Sequence, residues 1–389
     1  MRLCFINPHD WPRTVVYDLA KHLMARGNHE ITIVRPSRGS RFVGEACYKR
    51  ISDGVETIFY PAFFLRNISY NIPNLLSEIK ILSKLLSEER CEIIQGCDQS
   101  YLATVAPVLV KKRYKVPIVL TTDNLPGYSW FYGDAFVDVV AKSYTYSLGK
   151  WMLNSYDRLV FLYTKALNEV EKFGVPRNKV CSIPNGVDLE KFRPNLDVDD
   201  LRTELSVADD EKVLLFVGRL AKVKRVDILI ALTKSLIKEG FKVKTVLVGD
   251  GPDRKLYEKL AGSTGNNVIF VGQVPRTKVH EYYSLADVFV LPSLSEGLPQ
   301  VLLEASAAGK PCVATNANGT SDIIVHGETG YLIERSNVDA YRRYVKVLLE
   351  DEDLSKRMGS KAAEFVKENF SWDVVVERYE KVYEDIVNL

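Results

Sequence analysis

The feature that most constrains this chain is the regular alternation of short apolar runs with longer amphipathic ones. In the first half, strand-like runs at 3–7, 31–34, 92–95, 118–122, 159–162 and 180–183 are separated by helix-period stretches at 14–26, 75–88, 101–112, 134–154 and 164–173. The second half repeats the arrangement, with strands at 213–217, 243–248, 268–271, 288–291, 312–314 and 330–333. Its helices include 226–238, 252–260 and 278–285. Such alternation predicts doubly wound parallel α/β sheets. Twelve strands overfill one twisted sheet, so two sheets of about six strands are expected. The expected boundary follows Pro184-Asn-Gly-Val-Asp188, beyond which 192–200 is polar and turn-rich. This gives an N-terminal domain over 1–185 and a C-terminal one over 186–371, with an amphipathic tail at 372–389.

Charge separates the same halves. Residues 1–195 hold 26 Lys+Arg against 19 Asp+Glu, and the remainder 26 against 31, so a basic half precedes an acidic one. The six cysteines are scattered, and with the five histidines they form no zinc-ligand spacing. No apolar run approaches the ~18 residues that would cross a bilayer. The apolar start is too short for a signal peptide, so a cytoplasmic protein is expected, with no nucleic-acid partner.

The richest chemistry lies in Glu296-Gly-Leu-Pro-Gln-Val-Leu-Leu-Glu304. It follows an apolar strand and opens a helix in which Pro299 suits the first turn. Free N–H groups and the positive dipole end then point out of the carboxyl end of a strand, where an α/β sheet holds phosphate. Glu296 just before the helix and Glu304 inside it can each accept from a sugar hydroxyl on either side of a diphosphate. A second motif, Val217-Gly-Arg-Leu-Ala-Lys-Val-Lys224, places a close-approach glycine, Gly218, beside two cations, Arg219 and Lys224, suited to a departing diphosphate. Val248-Gly-Asp-Gly-Pro252 either lines the same site or is a purely structural turn. Asn185-Gly-Val-Asp188 reads as a structural turn at the hinge. Asp197-Val-Asp199 and Asp351-Glu-Asp353 read as solvated charge, and no metal is expected.

GRLAKVK (218–224), VGDGP (248–252), ADVFVLPS (286–293), EGLPQVLLEA (296–305), IPNGVDLEKF (183–192) and HGETGYLI (326–333) together resemble the retaining nucleotide-sugar glycosyltransferases that include sucrose synthases and bacterial phosphatidylinositol mannosyltransferases. The resemblance implies a GT-B fold, two Rossmann-like domains facing across a cleft, with 372–389 returning to the first. It implies a hexose moved from a UDP- or GDP-linked donor to a lipid or saccharide acceptor, without metal or other cofactor. By position, Arg219 and Lys224 would bind the diphosphate, Glu304 the ribose and Glu296 the transferred sugar. The backbone of Leu298, Pro299 and Gln300 would approach sugar and phosphate, and the Gly272–Pro275 segment, Val274 included, would lie against the base.

The N-terminal half departs from the pattern. Asn7-Pro-His-Asp-Trp-Pro-Arg13 replaces the usual glycine pair, and Asp123 stands where the family often has a histidine. His9 and Asp123 remain candidates for sugar or acceptor contact, Asp123 equally for a turn cap. A nucleotide-sugar epimerase of the same fold and a non-catalytic binding protein are the alternatives. The aromatic segment 58–67 and Lys111, Lys112, Arg113 and Lys115 raise the expectation of docking on an anionic membrane, against packing of Phe59, Phe63 and Phe64 beneath a loop.

Overall fold

The structure, a computed structural model, describes residues 1–9, 15–37, 47–65, 70–98, 100–131, 134–335 and 337–388. Residues 10–13 of the first turn, 14 at the start of its helix, and 66 and 67 of the aromatic segment lie outside the described residues. The chain divides into two compact units. One comprises Met1–Trp130, Asp134–Asn185 and Trp372–Leu389; the other comprises Phe131–Gly133 and Gly186–Ser371.

Among the described residues the first unit holds nine strands: β1 (Arg2–Ile6), β2 (Glu30–Ser37), β3 (Tyr48–Ser52), β4 (Val55–Leu65), β5 (Tyr70–Pro73), β6 (Ile93–Cys97), β7 (Ile118–Thr122), β8 (Arg158–Phe161) and β9 (Val180–Ser182). Their order is β3-β4-β2-β1-β6-β7-β8-β9, with β5 paired to β4. The pairs β2–β4, β2–β1, β1–β6, β6–β7, β7–β8 and β8–β9 are parallel, while β3 and β5 run antiparallel to β4. The central strands β1 and β6 are apolar because helices cover both faces. Helices α1 (Val15–Ala25), α2 (Leu75–Ser87), α3 (Val105–Tyr114), α4 (Ala135–Tyr144) and α5 (Lys150–Ser155) belong to this unit, and a π-helical turn over Thr145–Gly149 joins the last two. The terminal helix Trp372–Val387 belongs here as well. It buries Trp372, Val375, Val376, Tyr379, Tyr383 and Ile386 in the core that holds Leu3, Phe5, Leu19 and Leu23. Tyr383 donates to the Gln95 amide oxygen of β6, and Arg26 of the loop after α1 pairs with Glu380 at 2.9 Å.

Strands β3, β4 and β5 were not expected from the sequence. Every residue of β3 is exposed, so it carries no alternation of apolar and polar residues. The hairpin is closed by Asp53 and Gly54 at φ of 50° and 80°, the pairing that a tight two-residue turn favours. The segment beginning at Ile58 is therefore the inner part of a strand rather than a membrane-facing loop. Ile58, Tyr60 and Ala62 are buried, while Phe59 stacks on Tyr48 at 4.5 Å beneath the Arg35 guanidinium. Phe63 is half exposed, so packing of all three phenylalanines beneath a loop is also overturned. Lys111 lies in the last turn of α3 and pairs with Asp157 at 2.6 Å.

The second unit holds β10 (Lys212–Val217), β11 (Val243–Val248), β12 (Val268–Gly272), β13 (Val288–Leu291), β14 (Cys312–Thr315) and β15 (Gly330–Ile333), all parallel, in the order β12-β11-β10-β13-β14-β15. The chain lays down β10, β11 and β12 in one direction, then returns to place β13 on the other side of β10. That reversal leaves a crevice outside the carboxyl ends of β10 and β13. In the first unit the corresponding reversal falls between β1 and β6.

Candidate functional site

The loops leaving β10 and β13 carry the motifs of greatest chemical content, and three neighbouring strand ends hold them by backbone contact. Gly218 donates its N–H to the Val248 carbonyl at 2.9 Å, and Gly249 donates to the Gly272 carbonyl at 2.7 Å. Gly249 has φ of 124°, and a Cβ there would stand 2.0 Å from the Gly218 carbonyl oxygen; one on Gly251 would stand 2.3 Å from that of Leu220. The VGDGP turn is therefore structural in a specific way: its glycines let the β11 loop lie directly on the Gly218–Leu220 backbone. Asp253 fixes the same loop by accepting from the Lys222 N–H at 2.8 Å. The following helix begins at Arg254, two residues beyond Pro252.

Glu296 is almost wholly buried and receives the Lys224 ammonium on Oε1 at 2.7 Å. The two loops are also joined by the Leu294 N–H to the Val223 carbonyl, 2.8 Å. Asn318 donates to the Glu296 carbonyl at 2.8 Å and Gly319 to that of Gly297 at 3.0 Å, so the β14 loop braces the motif from behind. Arg219 is exposed, and its guanidinium makes no ion pair among the described residues. Lys224, expected at the diphosphate, here neutralises a buried carboxylate of the same site, a pairing the sequence did not indicate.

The helix of this motif is Gln300–Ala307, with Pro299 at its N-cap in an extended conformation, one position earlier than expected. Pro299 accepts from Leu302 N–H at 2.9 Å, which leaves 292–299 as a loop rather than a first turn. Leu298 is buried beside it. Gln300 donates Nε2 to the Gly186 carbonyl at 3.0 Å, while its Oε1 is buried without a partner among the described residues. The Ser293 hydroxyl is in the same condition. Buried polar atoms of this kind are uncommon in folded proteins.

Glu304 sits inside the helix, almost fully buried, and accepts a hydrogen bond on Oε2 from the Tyr283 hydroxyl at 2.7 Å. Tyr283 is completely buried on the helix Val279–Leu285, its ring edge-on to Phe192 at 5.6 Å. Burial, and then the Glu304 charge, push its phenol well above the ordinary value, so it serves only as a donor. Sequence reading missed Tyr283, because a tyrosine on the apolar face of a short helix looks like any core aromatic. Val274 and Gln273 follow β12, where Gly272 turns at φ of 84°.

Other singled-out positions have local structural roles. Asp188 accepts from the Glu190 and Lys191 N–H groups, and Val187 pairs with Ser371 at the second chain crossing. Asp351 caps the helix Glu352–Phe370 through the Leu354 N–H, and Asp197 caps the turn at Asp199.

In the first unit, His9 follows β1, its N–H donating to Asn7 Oδ1 at 3.0 Å and its ring edge-on to Tyr101 at 4.9 Å. Asp123 follows β7 and accepts from the Asn124 side chain. Asp98, which the sequence did not flag, ends β6 with a left-handed φ of 65° and accepts from the Ser100 N–H and hydroxyl.

Comparison with known proteins gives this arrangement its context. Residues 197–365 match the family model "Glycosyl transferases group 1", and residues 13–191 match "Glycosyltransferase Family 4". The chain is 32% identical over 223 residues to the N-acetyl-alpha-D-glucosaminyl L-malate synthase of Bacillus anthracis, spanning 57% of this chain but only 58% of that protein. It is 27% identical over 400 residues to an uncharacterized glycosyltransferase of Methanocaldococcus jannaschii, covering 96% and 95% of the two chains. Among solved structures, a sucrose-phosphate synthase from Thermosynechococcus elongatus superposes with a TM-score of 0.81 at 21% identity, covering 98% of each chain. The Anabaena protein HepE, in complex with UDP-glucose, gives 0.76 at 16%, covering 98% of this chain and 99% of that one.

Proposed function

The chain belongs to the group 1 glycosyltransferases of GT-B fold, and from that footing we propose that it moves a hexose from a nucleoside-diphosphate sugar to a lipid-linked or saccharide acceptor, with retention at the anomeric carbon and without a metal ion. The observation that carries this reading is the Lys224–Glu296 pair at the switch point between β10 and β13. A cation and a sugar-binding carboxylate within one hydrogen bond of each other suit the junction between a diphosphate and its hexose. In the donor complex Lys224 and Arg219 hold the diphosphate and take up charge as the bond from the anomeric carbon to phosphate oxygen breaks. Glu296 accepts from a hydroxyl of the hexose. Glu304, held by Tyr283 through one oxygen, turns the other to the ribose. The acceptor hydroxyl bonds to the anomeric carbon on the face the phosphate leaves, and its proton passes to the departing phosphate oxygen.

A UDP-linked donor is the first to try, since relatives of this fold have been solved with UDP and UDP-glucose. Glu304→Ala weakens nucleotide binding, and Tyr283→Phe weakens it less, by about the 1.5–3 kcal/mol of one hydrogen bond to a charged group. Glu296→Ala chiefly lowers turnover. The decisive measurement is release of nucleotide from labelled UDP- and GDP-hexoses, with and without acceptor extracts, and with chelator present. Transfer that survives EDTA supports the reading. Binding without release in any extract would make this a sugar-nucleotide-binding protein, and equilibration of the sugar without acceptor would make it an epimerase.

A further inference from the structure

Helix α4 has its amphipathicity turned outward. None of its residues is buried, although it carries Phe136, Val137, Val139 and Val140, whose exposure runs from 39% to 77%. The side toward the protein is fixed by backbone contact. A Cβ on Gly127 would stand 2.3 Å from the Lys142 N and 2.5 Å from the Asp138 carbonyl oxygen. Thr145 donates to the Pro126 carbonyl at 2.6 Å. Phe136, Val139, Val140 and Ser143 recur at three- and four-residue spacing and so share the opposite face. The π-helical turn and α5 carry two further half-exposed aromatics, Tyr146, whose ring also packs on Phe173 at 5.0 Å, and Trp151. From Phe136 to Ser143 the outward face of α4 is about 10 Å long at helical rise.

Exposed cations stand on this helix and on the elements next to it in the chain or packed against them. Lys142 on α4 and Lys150 at the start of α5 are exposed, as are Lys112 and Arg113 on α3, which packs against α5. None of these four is ion-paired among the described residues. Of the acidic groups here, Asp134 is engaged at the N-cap, accepting from the Phe136 and Val137 N–H groups, and Asp138 stands one turn before Lys142, the backbone of both meeting Gly127. We propose that α4, with the start of α5, lies on an anionic membrane surface, its aromatic and valine side chains in the headgroup layer and its lysines on the lipid charge. This deepens the lipid-acceptor form of the proposed function and rests on it. The docking surface is then a helix that the sequence marked only as a helix, rather than the segment from Ile58.

Co-sedimentation of the full chain with phosphatidylglycerol and with phosphatidylcholine vesicles tests this. Binding is expected to phosphatidylglycerol alone at low salt, and to fall as salt rises. Phe136→Ser with Val140→Ser, and separately Lys142→Ser with Lys150→Ser, should each weaken it at least tenfold without changing Tm. Phe63→Ser, an exposed aromatic elsewhere, should leave binding unchanged. Absence of binding at low salt overturns the proposal, as does equal binding by the Phe136 and Val140 variant. A concentration-dependent dimer that this variant abolishes overturns it too, assigning the face to a second copy. Nucleotide release from the donor, measured without vesicles, separates the two readings: vesicle binding without release defeats only the transferase reading, and release without vesicle binding defeats only this one.

Discussion

At the reversal between β10 and β13, loops are fixed by backbone touching backbone: Gly249 on Gly218, Gly251 on Leu220, with Lys224 and Glu296 closing the gap. At the reversal between β1 and β6, side chains do the fixing. Asn7 holds the His9 N–H, Tyr101 meets the His9 ring, Asn71 donates to the Pro8 carbonyl and Asp98 ties down Ser100. The two regions share a topology but differ in tolerance. A backbone packed so that a Cβ would stand 2.0–2.3 Å from a carbonyl oxygen admits only glycine, so its residue types are dictated. Side-chain contact can be assembled from many residues, and so carries little signature.

The largest effect expected from this difference is in Gly249→Ala. A left-handed φ and overlap with a carbonyl oxygen together should cost about 3 kcal/mol or more. Gly27→Ala in the first unit meets open space at a φ of 80° and should cost about 1 kcal/mol. Denaturant unfolding of both variants checks this, and equal losses would break the comparison.

Next comes the ion pair. Lys224→Ala leaves the Glu296 carboxylate buried without its cation and should cost about 3 kcal/mol of stability along with activity. Arg219→Ala, exposed, should stay within about 0.5 kcal/mol in stability while losing transfer rate. Thermal melts beside donor-release rates separate the two; a Lys224→Ala variant as stable as the parent would mean the pair is not held in solution.

The smallest effect tests a side-chain device of the first unit. Glu78 is fully buried with neither carboxylate oxygen hydrogen-bonded among the described residues, and burial holds its pKa well above the usual value. Because the folded pKa is raised, its contribution is most favourable below the unfolded value near 4.5 and is lost as pH climbs through the folded one, at up to about 1.4 kcal/mol per pH unit. Glu78→Gln should therefore raise Tm at pH 7 to 8, with the gain shrinking toward pH 4. A gain independent of pH would show that the carboxyl is not titrating there.

Much of this was legible in the amino-acid order. Strand–helix alternation located the parallel strands other than β4 because burial on both faces demands continuous apolar runs. The residue types around Gly218, Gly249, Glu296 and Glu304 marked the second unit's site because close backbone approach and charge leave few alternatives. Tertiary structure alone decided the rest. It joined Lys224 to Glu296 across 72 positions of sequence, placed Tyr283 under Glu304, and inserted β4 between β2 and an exposed β3. It also turned the apolar side of α4 away from its own protein. Periodicity reports that a helix has an apolar face, but only the packing of the Gly127 turn against the other side determines which way that face looks.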